Sequence, residues 1–432
     1  MKKLFYFACF LLLSFSISQA QIIRCATYEL HKQRMENDAQ YRAYYANIGQ
    51  QMHAWQTQSA QERTSGLGTI VIPVVVHVLW NTAEQNISDA QILSEITVLN
   101  EDYSGNNGNR TQVPTGFQSR FGNGNINFCM ATRTPAGDWT TGIERKQTST
   151  TSYNYGDPTI KDANSGGLNA WDRSKYLNIW VVNLSCCLLG YTEMPGGPAN
   201  TDGTVILYSA FGRGTGPLIA HYNLGRTATH EIGHWLGLFH VWGDDGCACS
   251  GPDYIDDTPN QACCTYGSPA FPVIDGCAHF KDDDSIPGDP VNGIMFMNYL
   301  DYSDDASMSM FTVDQVAVMR GYFNAGQFRA SILTSNGCAT PNGIAEINAA
   351  TYIDLYPNPA NNIVNINFRL PTATVLTVTA FDMLGKKLMT SEVHKTGEQN
   401  INLDVSSLQA GLYMLVVNTD QGNIAKHFAI TR

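Results

Sequence analysis

Residues 230–240 read His-Glu-Ile-Gly-His-Trp-Leu-Gly-Leu-Phe-His, and no other run constrains this chain as strongly. On a helix, His230 and His234 lie one turn apart on the same face, so both imidazoles can reach one ion. Gly237 permits a sharp exit from the helix through a backbone conformation that is costly for other residues. That turn can return His240 as a third ligand. Three imidazoles leave one tetrahedral position open for water, the pattern of a catalytic zinc and not of a structural one. Glu231 stands beside the metal without ligating it, placed to take a proton from the bound water and pass it to a leaving amine. A bare H-E-x-x-H arises by chance in about one per cent of chains with this His and Glu content, but Gly237 and His240 lower that to roughly one in 10^5. Histidines merely packed in a helix are therefore a weak alternative.

The surrounding chain has the texture of a mixed α/β domain. Thr69 to Leu79 is a β-branched run suited to a central strand, and Ser88 with Gln91 can cap a helix over Asp89 to Asn100. Strand-like pieces recur at Ile126 to Ala131, Leu177 to Leu184 and Thr204 to Tyr208, and a second helix is expected over Arg226 to Leu238. Glu29 to Arg63 is polar and rich in Gln and Ala, and predicts helices without a strong core of their own. Ser335 to Ala350 is small and polar, a linker composition. Beyond it, short alternating strands such as Val364 to Phe368, Val375 to Phe381 and Leu412 to Asn418, with glycines near the turns, predict a small antiparallel β-sandwich. The expected division is a signal peptide over 1–20, a prosegment over 21–65, a catalytic domain over 66–337, a linker over 338–350 and a β-sandwich over 351–432.

Lys2 and Lys3 precede an apolar stretch, Leu4 to Phe15, with Ser18-Gln19-Ala20 as a small-residue cleavage site. This predicts export, with no transmembrane segment in the mature chain. The formal net charge of -12, from 26 basic and 38 acidic side chains, argues against nucleic-acid partners. Cys247, Cys249, Cys263, Cys264 and Cys277 crowd one region, which in an oxidising compartment predicts disulfides. A second zinc site is the competing reading, but the paired C-x-x-C spacing is missing. Pairing does not follow from sequence.

The run GRTATHEIGHWLGLFHVWGDDGC, with DYIDDTP at Asp253 to Pro259, IPVVVHVL, ISDAQILSEITVLNEDY and LNIWVVNL, resembles the pappalysin family of metzincin zinc proteases. The resemblance covers roughly Gly66 to Gly337. It implies an α/β (α+β) metzincin-type zincin fold, two-lobed around a cleft, with an edge strand that pairs with an extended peptide substrate. It also implies a turn with Met below the zinc and Tyr two residues later. Here Leu300 holds the methionine position in the favoured register, and Met297 offers a second register three residues earlier. Leu and Met are close in volume, so the packing role can survive. In that register Tyr302 is the candidate to stabilise the tetrahedral oxyanion. Asp304 and Asp305 are candidates for the pocket after the cleaved bond, implying cleavage before Arg or Lys.

Asp253, Asp256, Asp257 and Thr258 supply hard oxygens where pappalysin-like domains are similar in carrying calcium; a solvated acidic loop is the alternative. Cys25 resembles the prosegment cysteine that latent metzincins place on zinc, and disulfide pairing is its alternative. Cleavage after Arg63 is the expected release point. The tail, with Asp354-Leu355-Tyr356-Pro357-Asn358-Pro359-Ala360, Phe381-Asp382-Met383-Leu384-Gly385-Lys386-Lys387 and Leu408-Gln409-Ala410-Gly411-Leu412-Tyr413, resembles the sorting domain of the bacterial type IX secretion system. Taken together these features imply a secreted or surface-attached zinc endopeptidase zymogen, with calcium as a second ion and the secretion machinery as a partner. A weakly catalytic surface binding protein and a zinc amidase of cell-wall peptides are the rival readings.

Overall fold

A computed structural model describes residues 22–57, 68–185, 187–277, 293–339, 352–382, 386–419 and 422–432. The leader, Arg63 and most of the linker lie outside the described residues. Seven strands make one sheet: β1 (Ile23–Cys25), β2 (Ile70–Trp80), β3 (Ile126–Met130), β4 (Ile143–Gln147), β5 (Leu177–Val182), β6 (Leu188–Thr192) and β7 (Thr204–Leu207). β2 sits at the centre because it can be buried on both faces; Val74, Val75, Val76 and Val78 are fully enclosed. β5 pairs with it on one side. On the other, β3 takes its first half and β4 its second, all in parallel. β7 continues the parallel run beyond β5, and β6 then reverses direction. β1 closes that edge by pairing parallel to β6, with Ile23 opposite Leu188 and Cys25 opposite Gly190.

The helices are α1 (Thr27–Asn37), α2 (Ala39–Tyr45), α3 (Ile48–Thr57), α4 (Asp89–Tyr103), α5 (Arg226–Trp235) and α6 (Val313–Gly321). Ser88 Oγ accepts the Gln91 N–H at the start of α4, as the sequence suggests, and Ile92, Leu99 and Tyr103 face the core. α5 carries the metal motif and lies under β6 and β7. The polar helices α1–α3 share a core that is not theirs. Tyr41, Tyr45, Met52 and Trp55 are buried in the same cluster as Trp235, Leu236 and Tyr322. None of the described helices is long and apolar enough to cross a membrane.

Two disulfides, Cys247–Cys263 and Cys249–Cys277, brace the loop after α5, and a third, Cys129–Cys338, joins β3 to the end of this region. The C-terminal strands form a second sheet, antiparallel throughout: β8 (Tyr352–Tyr356), β9 (Ile363–Asp382), β10 (Lys387–Asp404), β11 (Gly411–Thr419) and β12 (Gly422–Ile430). Two of the expected short strands are halves of the long β9. Val364 and Ile366 from its first half share one buried cluster with Val378, Ala380 and Phe428, so the halves enclose a common core.

Candidate metal centre and active-site cleft

Helix α5 presents His230, Glu231 and His234 on one buried face. The helix ends at Trp235 and the chain reverses at Gly237, whose φ is +86°. A Cβ there would also lie 1.9 Å from the Tyr322 ring, so the turn needs glycine twice over. The reversal returns His240 to the other two histidines. The three Nε2 atoms stand 3.0, 3.1 and 3.3 Å apart. Each Nδ1 has an oxygen partner: Tyr299 O at 2.7 Å for His230, Leu238 O at 2.7 Å for His234, and the Asp244 carboxylate at 2.7 Å for His240. With the protons on Nδ1, three bare lone pairs face one another, which only a cation stabilises. Tetrahedral zinc with bonds of about 2.05 Å would hold such nitrogens about 3.3 Å apart. The donor set fits zinc.

The Cys25 sulfur joins these nitrogens in one group whose ligand atoms all lie within 4.8 Å of one another. Among the described residues, no other three His, Cys, Asp or Glu gather in this way. Cys25 is buried and forms no disulfide. Its neighbours in residues 24–27 are also engaged. The Arg24 guanidinium donates to Ser303 O at 2.9 Å, to Asp305 Oδ1 at 3.0 Å and to Met308 Sδ at 3.1 Å, and lies 5.1 Å from the Tyr222 ring centre. Asp305 is fixed from behind by the Leu224 and Arg226 N–H groups. The Thr27 hydroxyl donates to Glu231 Oε2 at 2.8 Å while accepting from Thr192 N at 2.9 Å. Burial pushes the Glu231 carboxyl up to about 7, against the pull of its Cys25 and Thr27 contacts.

Leu300 lies directly under the motif: a Cβ on Gly233 would meet its Cδ2 at 3.0 Å. Met297, the alternative register, packs in a separate cluster with Val113 and Phe117. Tyr302 is buried with its ring 5.0 Å from that of His240 and 4.7 Å from that of Trp242. Its hydroxyl donates to Cys25 O at 3.3 Å. Tyr299 carries the turn's other contact; its hydroxyl bonds Asp102, which also holds Arg226 and Thr229 at the head of α5. Burial raises the Asp102 carboxyl to about 6 despite these donors.

The two acidic candidates separate. Asp305 faces Arg24, whereas Asp304 bonds His221 Nδ1 at 3.0 Å and the Ser268 hydroxyl at 2.9 Å. The acidic loop is only partly drawn together. Asp253 accepts from Ile255 N and the Thr258 hydroxyl, Asp256 meets His53, and Asp257 accepts from Asp314 N. Sequence reasoning overlooked Asp244, although a carboxylate four residues after the third histidine is a readable signal. It also overlooked Thr27, Tyr222 and Met308, which carry no local signature.

The chain aligns with extracellular metalloproteases of Arthroderma otae, at 31% identity over 283 residues covering 64% of this chain and 85% of that one, and of Trichophyton verrucosum, at 32% over 282 residues, 63% and 84%. The pregnancy-associated plasma protein-A peptidase model matches residues 167–324. The chain belongs to the pappalysin (M43) family of metalloproteases. Among solved structures, this pappalysin is similar to mature mirolysin of Tannerella forsythia in complex with a cleaved peptide, at 46% identity and TM-score 0.59, over 64% of this chain and 99% of that one. It is also similar to a promirolysin mutant from the same organism, at 43% and TM-score 0.61, over 72% and 96%. Residues 354–431 match a secretion system C-terminal sorting domain. The pappalysin is thus a secreted metalloprotease joined to a bacterial sorting domain.

Proposed function

We propose that this protein is exported as a latent zinc endopeptidase that cuts polypeptides before Arg or Lys, and that residues 24–27 hold it inactive. The observation that carries the reading is the seating of Arg24 on Asp305 with Cys25 beside the three histidines. His230, His234 and His240 would hold the zinc, and Cys25 would fill its fourth position in the latent form. When bound, zinc supplies Lewis acidity to the scissile carbonyl and lowers the pKa of water toward neutrality.

The chain's own groups supply the remainder. Glu231, enclosed and with its carboxyl raised to about 7, is poised to accept a proton from water and return it to the leaving amine. The Tyr302 hydroxyl, which donates to the Cys25 carbonyl, would serve as donor to the developing oxyanion. Asp305, with Ser303 O beside it, offers a basic side chain the two partners that Arg24 now occupies. The latent strand runs parallel to β6. A substrate strand is expected antiparallel to that edge, so the prosegment lies in the cleft reversed and presents no bond in the productive sense.

The mature and pro forms of mirolysin support a removable segment here, and release after Arg63 remains part of the proposal. Export by a type IX route rests on the sorting-domain match. Calcium on Asp253, Asp256, Asp257 and Thr258 likewise stays part of the proposal.

The test uses the full chain, activated by limited proteolysis and incubated with a denatured protein, with and without chelator, beside its Glu231→Ala variant. Mass spectrometry of the new ends should find cuts before Arg and Lys made only by the metal-loaded, unmutated chain. Cuts lacking that preference would refute the pocket. A folded, zinc-loaded chain that cuts no polypeptide would favour a binding role or a narrow amidase.

A further inference from the structure

The same prosegment places a second arginine on a second carboxylate, at the other end of β6. Arg34, on α1, grips Glu193 with both arms of its fork, Nε to Oε1 at 2.8 Å and Nη2 to Oε2 at 3.0 Å. Glu193 follows the last residue of β6 and is held in place by the chain around it. Its N–H donates to Gly203 O at 3.1 Å, and the Thr201 hydroxyl donates to Oε2 at 3.0 Å. Gly197 lies so close that a Cβ there would meet the Glu193 carboxylate at 2.5 Å, so the loop closes on the acid only because no side chain intervenes. The neighbouring Lys161 ammonium donates to Thr201 O, rests 4.6 Å from the Trp180 ring centre and is attracted by the Glu193 charge from beyond ion-pair distance. The partner of Glu193 that leaves with the prosegment is Arg34.

We propose that Glu193, once Arg34 has gone, is a specificity subsite for Arg or Lys upstream of the cleaved bond. The strand geometry fixes where. Cys25 stands opposite Gly190 and beside the histidines, which sets the level of the metal on β6. Arg24, on the N-terminal side of Cys25, marks the pocket after the scissile bond in a strand that runs reversed. The region beyond Gly190 toward Glu193 is therefore the side that precedes the bond. Glu193 is three residues past Gly190, about 10 Å along an extended strand. Residues paired across strands share a face, so the side chain presented to Glu193 belongs two to four positions before the cut. This reading rests on the peptidase assignment and adds a second charge filter to it.

The experiment takes the activated full chain and peptides that share Arg after the cut. They differ only in carrying Lys, Ala or Glu at one of the three upstream positions. We expect one position at which Lys is preferred over Ala by about ten-fold in kcat/KM, with Glu disfavoured. In Glu193→Gln, which keeps an acceptor for Thr201, the Lys-to-Ala ratio should fall close to one, and Glu193→Arg should invert the order toward Glu. For the unmutated enzyme the same ratio should shrink as salt is raised, a measurement that needs no variant. An enzyme indifferent to all three positions, or a Glu193→Gln form that keeps the preference and merely activates faster, would overturn the proposal. Upstream preference is scored from whichever bond is cut, so loss of the downstream Arg preference would refute the Asp305 pocket and leave this test standing. Absence of any cleavage would sink both.

Discussion

Replacing Arg24 by Ala should loosen latency markedly. The guanidinium is fully buried against Asp305, with 0% and 1% of the two side chains exposed. Truncating one member of a buried pair usually costs about 3–5 kcal/mol. One feature reduces that here. Asp305 keeps the Leu224 and Arg226 N–H donors. A loss of about 2–3 kcal/mol in prosegment docking follows, roughly 30- to 150-fold in affinity. The assay compares intact Arg24→Ala and unmutated proenzyme on a quenched peptide before any N-terminal processing, and then measures inhibition of the activated enzyme by synthetic 22–57 peptides of both sequences. Arg24→Lys should fall between them, since an ammonium cannot reproduce contacts to Asp305 Oδ1, Ser303 O and Met308 Sδ together. Equal inhibition by the Ala and Arg peptides would mean that Asp305 does not recognise the guanidinium energetically, and the downstream specificity argued from it would fall as well.

Tyr302→Phe should lower kcat by 10²–10³-fold with little change in KM if the hydroxyl acts on the oxyanion; a loss confined to KM would assign it to substrate binding. Asp244→Asn, which weakens the partner of His240 Nδ1, should reduce zinc affinity by about 10- to 100-fold in a chelator competition while the fold persists by circular dichroism. His31 supplies a pH dependence. Its ring is packed among Tyr41, Tyr45 and Phe239, and burial pushes it down to about 4, with Asp244 pulling the other way. A His depressed in the docked state binds its proton after release, so docking is at full strength above about pH 6.5 and weakens as pH falls toward 4. Conversion of the proenzyme should therefore quicken on the order of ten-fold from pH 7 to 5. In His31→Phe this contribution should vanish, and an unchanged pH slope would refute the role.

What the sequence made legible was whatever a short window could encode. The spacing of His230 and His234, the exit at Gly237, the β-branched run of β2 and the Ser88 cap all act within one turn or one strand, and each stands where expected. The pairing of Arg24 with Asp305 is of another kind. Arg24 and Asp305 are 281 residues apart in the chain, and nothing near either announces the other. β6, which pairs with β1, is the unremarkable pentapeptide Leu-Leu-Gly-Tyr-Thr and takes its place in the sheet only through its neighbours. The pair Asp304 and Asp305 looks equivalent on paper; which carboxylate meets the pocket depends on His221 and Ser268, brought in from elsewhere. The tail's strands were recognisable by alternation, whereas the fusion of two of them into β9 depends on pairing with β10 along its whole length.

The Cys129–Cys338 bond has a mechanical meaning for a protein that carries a sorting module behind its catalytic part. Cys338 is the last cysteine of the chain, at the start of the linker, and Gly337 O also accepts the Thr132 N–H just beyond β3. Tension on the tail, or a nick in the linker, is stopped at a covalent anchor in β3 and cannot peel the chain back toward α6 and the metal-bearing turn. The two halves can thus be pulled or parted during export without the enzyme unravelling from its end.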